Sequence, residues 1–266
     1  MNRRLLFFLC LGLLSANASA QILIGPTVGP SFSWTNFDDD DLKDFYSVRP
    51  VAGFHGGVMV QFRVQKRFFL NSSLIYSTKG KILRSDVDPL FRNQVTYKYL
   101  EMPILYTAEF KGTVGSGREY KWYFGAGPNI SYWLGGKGRM MSSDLNELTI
   151  DELQYNIALG KEPEETADNE MSVRSPNRLQ LGLNVAAGFV FEPMGYQKFM
   201  ILFRYELGHS YLSRTTDGVF VPTAYQEPMR VRNHGVRISL SYLMDTKIAE
   251  RKKGKSTIKH SRRRRR

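Results

Sequence analysis

Between residues 179 and 191 every odd position is apolar: Leu179, Leu181, Leu183, Val185, Ala187, Phe189 and Phe191. Gln180, Gly182, Asn184, Ala186, Gly188 and Val190 lie between them. A helix advances about 100° per residue and would scatter such a set around its surface, whereas an extended chain places all seven on one face. The period returns with Phe199, Ile201, Phe203, Tyr205 and Leu207, and again with Val236, Ile238, Leu240, Tyr242 and Met244. Upstream it is carried by Trp122, Phe124, Ala126, Ile130, Tyr132 and Leu134; by Leu100, Met102, Ile104, Tyr106, Ala108 and Phe110; and by Phe54, Val58, Val60 and Phe62. Weaker segments at 67–79 (Phe68, Leu70, Leu74, Tyr76) and 22–34 (Ile22, Ile24, Val28, Phe32, Trp34) complete a set of eight strands of about 12–15 residues. Strands in soluble proteins usually run about 5–6 residues, while crossing a bilayer takes about 9–11. The pattern predicts an all-β fold, an eight-stranded antiparallel transmembrane β-barrel in up-and-down meander order over residues 21–244.

The connections support that topology. About sixteen residues, including the acidic run Asp38 to Asp41, follow the first strand, and only Gln65 and Lys66 follow the second. A long loop around Pro89 comes next, then the compact 111–117 turn, then about 44 residues from Gly135 to Arg178, then 192–197, and last the 213–229 loop. Short turns on one rim and long loops on the other mark outer-membrane barrels, with the short turns periplasmic. An even strand count predicts both termini in the periplasm. Alternation alone also admits a soluble periplasmic ligand-binding barrel with its apolar face inward. The other face decides between them: it is mostly Gly, Ser, Asn, Gln and Thr with one or two charges per strand, too sparsely charged for a water-facing surface. Small polar residues suit the narrow interior of eight strands. Trp34, Tyr97, Tyr99, Trp122, Tyr132, Trp133, Tyr211 and Tyr242 lie near strand ends, where interfacial girdles are expected.

Residues 1–20 read as a secretory signal peptide: Arg3 and Arg4, an apolar run from Leu5 to Leu14, and Ala18-Ser19-Ala20 before Gln21. The single cysteine, Cys10, lies in this leader, so the mature chain has no disulfide, thiolate nucleophile or cysteine metal site. The formal net charge of +12 comes from the two ends. Eleven basic groups and one acid (Glu250) fall in residues 247–266, among them Lys252, Lys253, Lys255, Arg262, Arg263, Arg264, Arg265 and Arg266. With Arg3 and Arg4 also set aside, residues 21–246 hold 24 basic and 24 acidic groups and are neutral. A nucleic-acid reader built on the folded domain is therefore excluded. The segment 245–266 is predicted to be a disordered periplasmic tail that contacts an anionic partner.

The segments Pro50-Val51-Ala52-Gly53-Phe54-His55-Gly56-Gly57, Tyr99-Leu100-Glu101-Met102-Pro103-Ile104-Leu105-Tyr106, Tyr123-Phe124-Gly125-Ala126-Gly127-Pro128 and Arg204-Tyr205-Glu206-Leu207-Gly208 carry a resemblance. Together, over roughly residues 21–244, the chain resembles the PorT-like outer-membrane β-barrel family of Gram-negative bacteria. That resemblance implies an eight-stranded outer-membrane barrel but no single activity; the family's namesake serves in a type IX protein-secretion and gliding system, which makes a place in such an assembly one expectation. The chain departs from the usual pattern in ending its last strand on Tyr242-Leu243-Met244 before a basic tail, and in its 44-residue fifth loop.

Catalytic, cofactor and metal residues are not expected. Glu206, His209 and Ser210 can be written as an acid/His/Ser set, but 206 and 210 share a face that 209 does not. Residues 125–127 lie within a strand with no helix after them, so they form no phosphate loop. His55, His234 and His260 lack ligand spacing, and Asp38 to Asp41 with Asp44 lack calcium-loop spacing. Arg63, Glu101, Glu109, Arg204, Glu206 and Arg237 all point into the barrel and are predicted to pair as an interior charge network. In the fifth loop, 143–159 reads as a short helix and 162–170 as a mobile acidic stretch. The sequence thus predicts a non-enzymatic outer-membrane barrel with a plugged interior, an anchor or interaction protein. Its partners are outer-membrane lipid and lipopolysaccharide, an anionic periplasmic partner at the tail, and secretion-system proteins. A small passive pore and a lipid-modifying enzyme are the alternatives.

Overall fold

The structure is a computed structural model that describes residues 22–114, 118–193, 197–214, 217–221, 223 and 225–246. The leader (1–20) and residues 247–266 of the expected tail fall outside the described residues, whereas Asp245, placed in the tail by sequence, ends the last strand opposite Leu23. Eight long strands form the wall: β1 (Ile22–Phe37), β2 (Tyr46–Arg63), β3 (Phe68–Ser85), β4 (Arg92–Val114), β5 (Arg118–Met141), β8 (Leu179–Phe191), β9 (Gln197–Tyr211) and β12 (Val231–Asp245). Each pairs antiparallel with the next, β5 pairs with β8, and β1 pairs with β12 from Leu23↔Asp245 to Phe37↔Val231, which closes the ring. An antiparallel eight-stranded meander barrel is what the period-2 segments imply, but β2 to β5, of 18 to 24 residues, are longer than the alternating runs.

The extra length lies on the long-loop side. From Leu100 to Phe110, β4 points Leu100, Met102, Tyr106 and Phe110 outward, each more than a third exposed, as β5 does with Trp122, Phe124, Tyr132 and Leu134. Apolar side chains in that position are stable only against lipid. Before Leu100 the two faces of β4 exchange character. Arg92, Gln94, Thr96 and Lys98 look outward, while Phe91, Val95, Tyr97 and Tyr99 are buried. On β5 the exchange is achieved by a register shift against β4 at Lys98/Tyr99, where Gly135 adopts φ +142°, open to glycine and strained for other residues. One extra residue flips the side-chain parity, so Lys137 and Arg139 face water and Met140 faces in. The wall is therefore a lipid-facing barrel that continues beyond the lipid band as a water-facing barrel with an apolar inside.

That upper barrel is filled and capped by the loops. Helix α1 (Asp40–Phe45) lies between β1 and β2, with Asp39 as its N-cap. Helix α2 (Ser143–Glu147) is capped by Ser142, whose hydroxyl accepts from the Leu145 N–H. Then β6 (Leu153–Leu159) pairs with the upper end of β5, β7 (Glu170–Val173) runs parallel to β6, and β10 (Gly218–Phe220) and β11 (Gln226–Glu227) extend the sheet. Trp133, Met140, Leu145, Tyr155, Met171, Val173, Phe220 and Met229 pack with Tyr97 and Tyr99 into one buried core. Asp88 ties a neighbouring loop to this unit, accepting from the N–H and hydroxyl of Ser143 at 3.0 and 2.7 Å.

Several sequence expectations change here. The helix foreseen over 143–159 stops at Glu147, and its second half is strand β6, because Tyr155 and Ile157 bury on one face of an extended chain. The stretch 162–170 is no loose acidic loop: it makes a 3-10 turn at Pro163–Glu165 and then enters β7. Tyr97, Tyr99 and Trp133 are fully buried core residues, not girdle residues. Their parity already says so, since Leu100, Tyr132 and Leu134 beside them take the lipid face.

The closing seam depends on small residues. A Cβ at Gly25 or Gly29 would lie 1.7 Å from the Tyr242 carbonyl oxygen or 1.8 Å from that of Ile238 on β12. Gly29→Val is therefore expected to destabilise the barrel by about 1–3 kcal/mol through forced separation of β1 and β12, read as a lower urea midpoint in detergent. An unchanged midpoint would show that the strands stand further apart.

Candidate functional site

The interior is packed in layers. At the short-turn rim, Lys198 pairs with Glu109, donates to Gln61 Oε1 at 2.7 Å and lies 4.2 Å over the Phe69 ring. Gln61 in turn donates to Asn71 at 2.7 Å, and Asn71 to Thr107 at 3.0 Å. Next comes an apolar layer of Leu23, Met59, Leu105, Tyr123, Val190, Met200, Leu202 and Leu243. These side chains occupy the interior at this level, as the narrow bore of eight strands allows.

A central charge cluster follows. Arg237 on β12 grips Glu101 on β4 with two hydrogen bonds of 2.5 and 2.8 Å and reaches Glu206 on β9 at 2.9 Å. Lys79 on β3 bridges the same two carboxylates at 2.7 and 2.5 Å. Asn129 on β5 adds a donor to Glu206 at 2.9 Å, and His55 Nε2 lies 2.7 Å from Ser239 Oγ. The four ionic groups thus cross-link β3, β4, β9 and β12 through the lumen and are at most 5% exposed, and Asn129 ties in β5. Above them Tyr99 joins Gln180 and Asn233 at 3.2 and 3.0 Å. In the cap the buried pair Lys81–Glu227, at 2.6 Å, is flanked by Asn93 and Tyr225, which donate to Glu227 at 2.5 and 2.6 Å. Burial, reinforced by Glu227, raises the Tyr155 and Tyr225 hydroxyls well above their usual range, so both stay protonated donors.

Of the six residues expected to pair inside, Glu101, Glu206 and Arg237 meet in the central cluster. Glu109 meets Lys198 at the rim. Arg63 is exposed at the short turn, donating to the Lys66 carbonyl at 3.4 Å. Arg204 lies in the central layer, 2% exposed, with no hydrogen-bond partner for its Nε or Nη2. Sequence reading missed Lys79, Lys81, Lys198, Asn129 and Glu227. The parity of β3 held a clue, because Ser77, Lys79 and Lys81 oppose the lipid-facing Leu74 and Tyr76. Nothing local marks Glu227, which enters from the two-residue strand β11. His209 faces out, Glu206 faces in on Lys79 and Arg237, and the Ser210 hydroxyl accepts from the Leu181 N–H at 2.9 Å. These three residues do not assemble a catalytic set.

Among the described residues, cavities open at both rims. A cavity of about 530 Å³ at the short-turn mouth has a basic lining that includes Arg63, Lys66, Arg67 and Lys121. At the long-loop rim the β1–β2 ladder stops at Ser33↔Val51, although both strands continue. Pro50, which has no N–H, and a bulge between Pro50 and His55 turn β2 aside. The gap opens into cavities of about 570 and 670 Å³ beside α1 that share Asp38 and Tyr46. Asp38 accepts from Tyr211 at 2.7 Å and pairs with Arg230 and Arg232 at 3.0 and 3.4 Å. The Tyr211 hydroxyl, then the two guanidinium groups, hold its carboxyl below the ordinary 3.8. A depressed folded-state value stabilises this corner above about pH 4, and the contribution is lost as pH falls through that lower value. The Asp38 carboxyl resonance is expected to titrate below 3.8 and to move upward in Tyr211→Phe; a midpoint at 3.8 in both would remove the interaction.

A sequence profile described as "Outer membrane protein beta-barrel domain" matches residues 15–210. The chain belongs to this outer-membrane β-barrel family. Similar solved structures include Neisserial surface protein A (11% identity, TM-score 0.40, covering 86% of this chain and 99% of that one). OprG of Pseudomonas aeruginosa shows 12% identity and a TM-score of 0.42 over 85% of this chain and 94% of its own. Ail of Yersinia pestis shows 11% identity and a TM-score of 0.35 over 84% of this chain and 99% of its own. No curated protein matches the chain. Its place among outer-membrane barrels accords with the lipid-facing belt on β4 and β5.

Proposed function

We propose that this outer-membrane barrel is a non-enzymatic anchor that presents a folded cap on one side of the membrane and a basic tail on the other. The observation that carries this reading is the cap: β6, β7, β10, β11 and α2 share a hydrophobic core with the upper wall, so the loops form a surface of fixed shape over a filled lumen. A pore needs an open axis and an enzyme needs converging reactive groups, and the interior offers packed ion pairs instead. In this reading the long-loop rim faces outward, and the short turns, both termini and the tail face the periplasm. The narrower role, membership of a type IX-like secretion assembly, rests on the resemblance to PorT-like barrels.

The test is in vivo cross-linking and affinity capture with three forms: the full chain, a truncation after Thr246, and a chain with 143–173 replaced by a short linker. Loss of periplasmic partners with the first deletion and of surface partners with the second is expected. Equal recovery from all three would refute the anchor reading. Recovery of outer-membrane secretion components by the full chain supports the narrower role, and their absence removes it.

A further inference from the structure

The buried charges of the barrel nearly all have a partner of their own. Lys198 has Glu109 at the short-turn rim and Lys81 has Glu227 in the cap. The central layer does not balance. Lys79 and Arg237 are matched by Glu101 and Glu206, which leaves Arg204, also 2% exposed, as a third cation among two carboxylates. Register makes its position worse, because Arg204 is directly opposite Arg237 across the β9–β12 ladder, and like charges in that relation repel. An arginine cannot escape by losing its proton. Its Nε and Nη2 have no partner, and neither amide atom of Asn184 has one. Asn184 is directly opposite Glu206 and next on the inner face to Ala186, the residue opposite Arg204, so the two unsatisfied groups are diagonal neighbours on β8 and β9, with Glu206 already engaged by Lys79, Asn129 and Arg237. Water could satisfy their donors but would leave the charge uncompensated in a sealed, low-dielectric layer.

We propose that the barrel interior binds a small monovalent anion of the halide class between Arg204 and Asn184. The size follows from the packing. None of the cavities found among the described residues is lined by Arg204 or Asn184, so whatever sits between them is small. The charge follows from the excess of one. The donors follow from the unpartnered guanidinium N–H groups and the Asn184 amide, which take the place of a hydration shell. The anion acts as the third acid of the central cluster and completes the plug.

The test uses the full mature protein folded in zwitterionic detergent. The thermal midpoint is followed as chloride replaces gluconate, an anion too large for the site, at constant ionic strength. A rise on the order of 5 °C toward saturating chloride is expected from binding to the folded state alone. Arg204→Met removes the charge, and Asn184→Asp supplies a built-in carboxylate beside Arg204. Both variants are expected to lose the chloride dependence. Crystals soaked in bromide are expected to show an anomalous peak within about 3.5 Å of Arg204 Nε or Nη2, which decides the matter even where a variant does not fold. A midpoint indifferent to chloride, an unchanged dependence in Asn184→Asp, or bromide bound elsewhere only would overturn the site.

Discussion

Arg237→Met is expected to cost about 3–5 kcal/mol of barrel stability, because it strips Glu101 of two hydrogen bonds and Glu206 of one while leaving both carboxylates buried. Lys79 would then be the one cation still in direct contact with both acids, because Arg204, in the same layer, makes no ion pair with either. The loss should appear as a lower urea midpoint in detergent and as unfolded migration without heating on a gel. Arg63→Ala is the control, since that guanidinium is exposed at the rim, and a change within about 0.5 kcal/mol is expected. The contrast is the informative part. Each arginine was foreseen to point inward on sequence grounds, and only one of them cross-links strands. Equal effects would mean that the central cluster is not what holds β4, β9 and β12 in place.

Trp133→Ala produces a loss of similar size in a different part of the molecule. Trp133 is fully buried, meets Tyr97 edge-on at 5.5 Å between ring centroids, stacks on Tyr99 at 6.5 Å, and donates from Nε1 to the Gly135 carbonyl at 2.9 Å. Truncating a buried aromatic of this kind typically costs about 3–5 kcal/mol. The lipid-facing barrel lies below the lesion, so the variant should still insert and still shift mobility on heating. The cap should open. Protease added to intact cells is expected to cut between 142 and 178 in the variant and to spare the parent. Cutting that requires complete unfolding in both forms would show that cap and barrel are a single cooperative unit.

The membrane half of this fold was legible because the bilayer imposes one rule on every strand, apolar out and small polar in, and the rule repeats with period 2 eight times. The cap was less legible because the rule reverses there. In β4 the reversal is visible once sought: Val95, Tyr97 and Tyr99 take the positions that Glu101 and Thr107 take lower down. In β5 it is hidden, since the bulge at Gly135 shifts parity by one residue and Met140 then faces inward against the count. Segment 153–159 reads as helix locally, and its strand character is decided by pairing with β5 and β7, which no short window contains.

Charge partners were legible on one side only. Glu101, Glu206 and Arg237 declare themselves as ionic residues on an inward face. Lys79 sits in one of the two weaker strand patterns, and Lys81 finds Glu227 across 146 residues of sequence, so their roles depend on ring closure. Arg204 carries the same inward signature as Arg237, yet the ring gives it a like charge as neighbour in place of an acid.

In the proposed reading the lumen is closed by its own side chains and by the cap. Single-channel recording of the purified mature protein in planar bilayers tests it most directly. The packed central cluster, the apolar layer beneath it and the cap above predict a flat trace at baseline over the usual voltage range. Reproducible conductance steps from the parent protein would contradict the account.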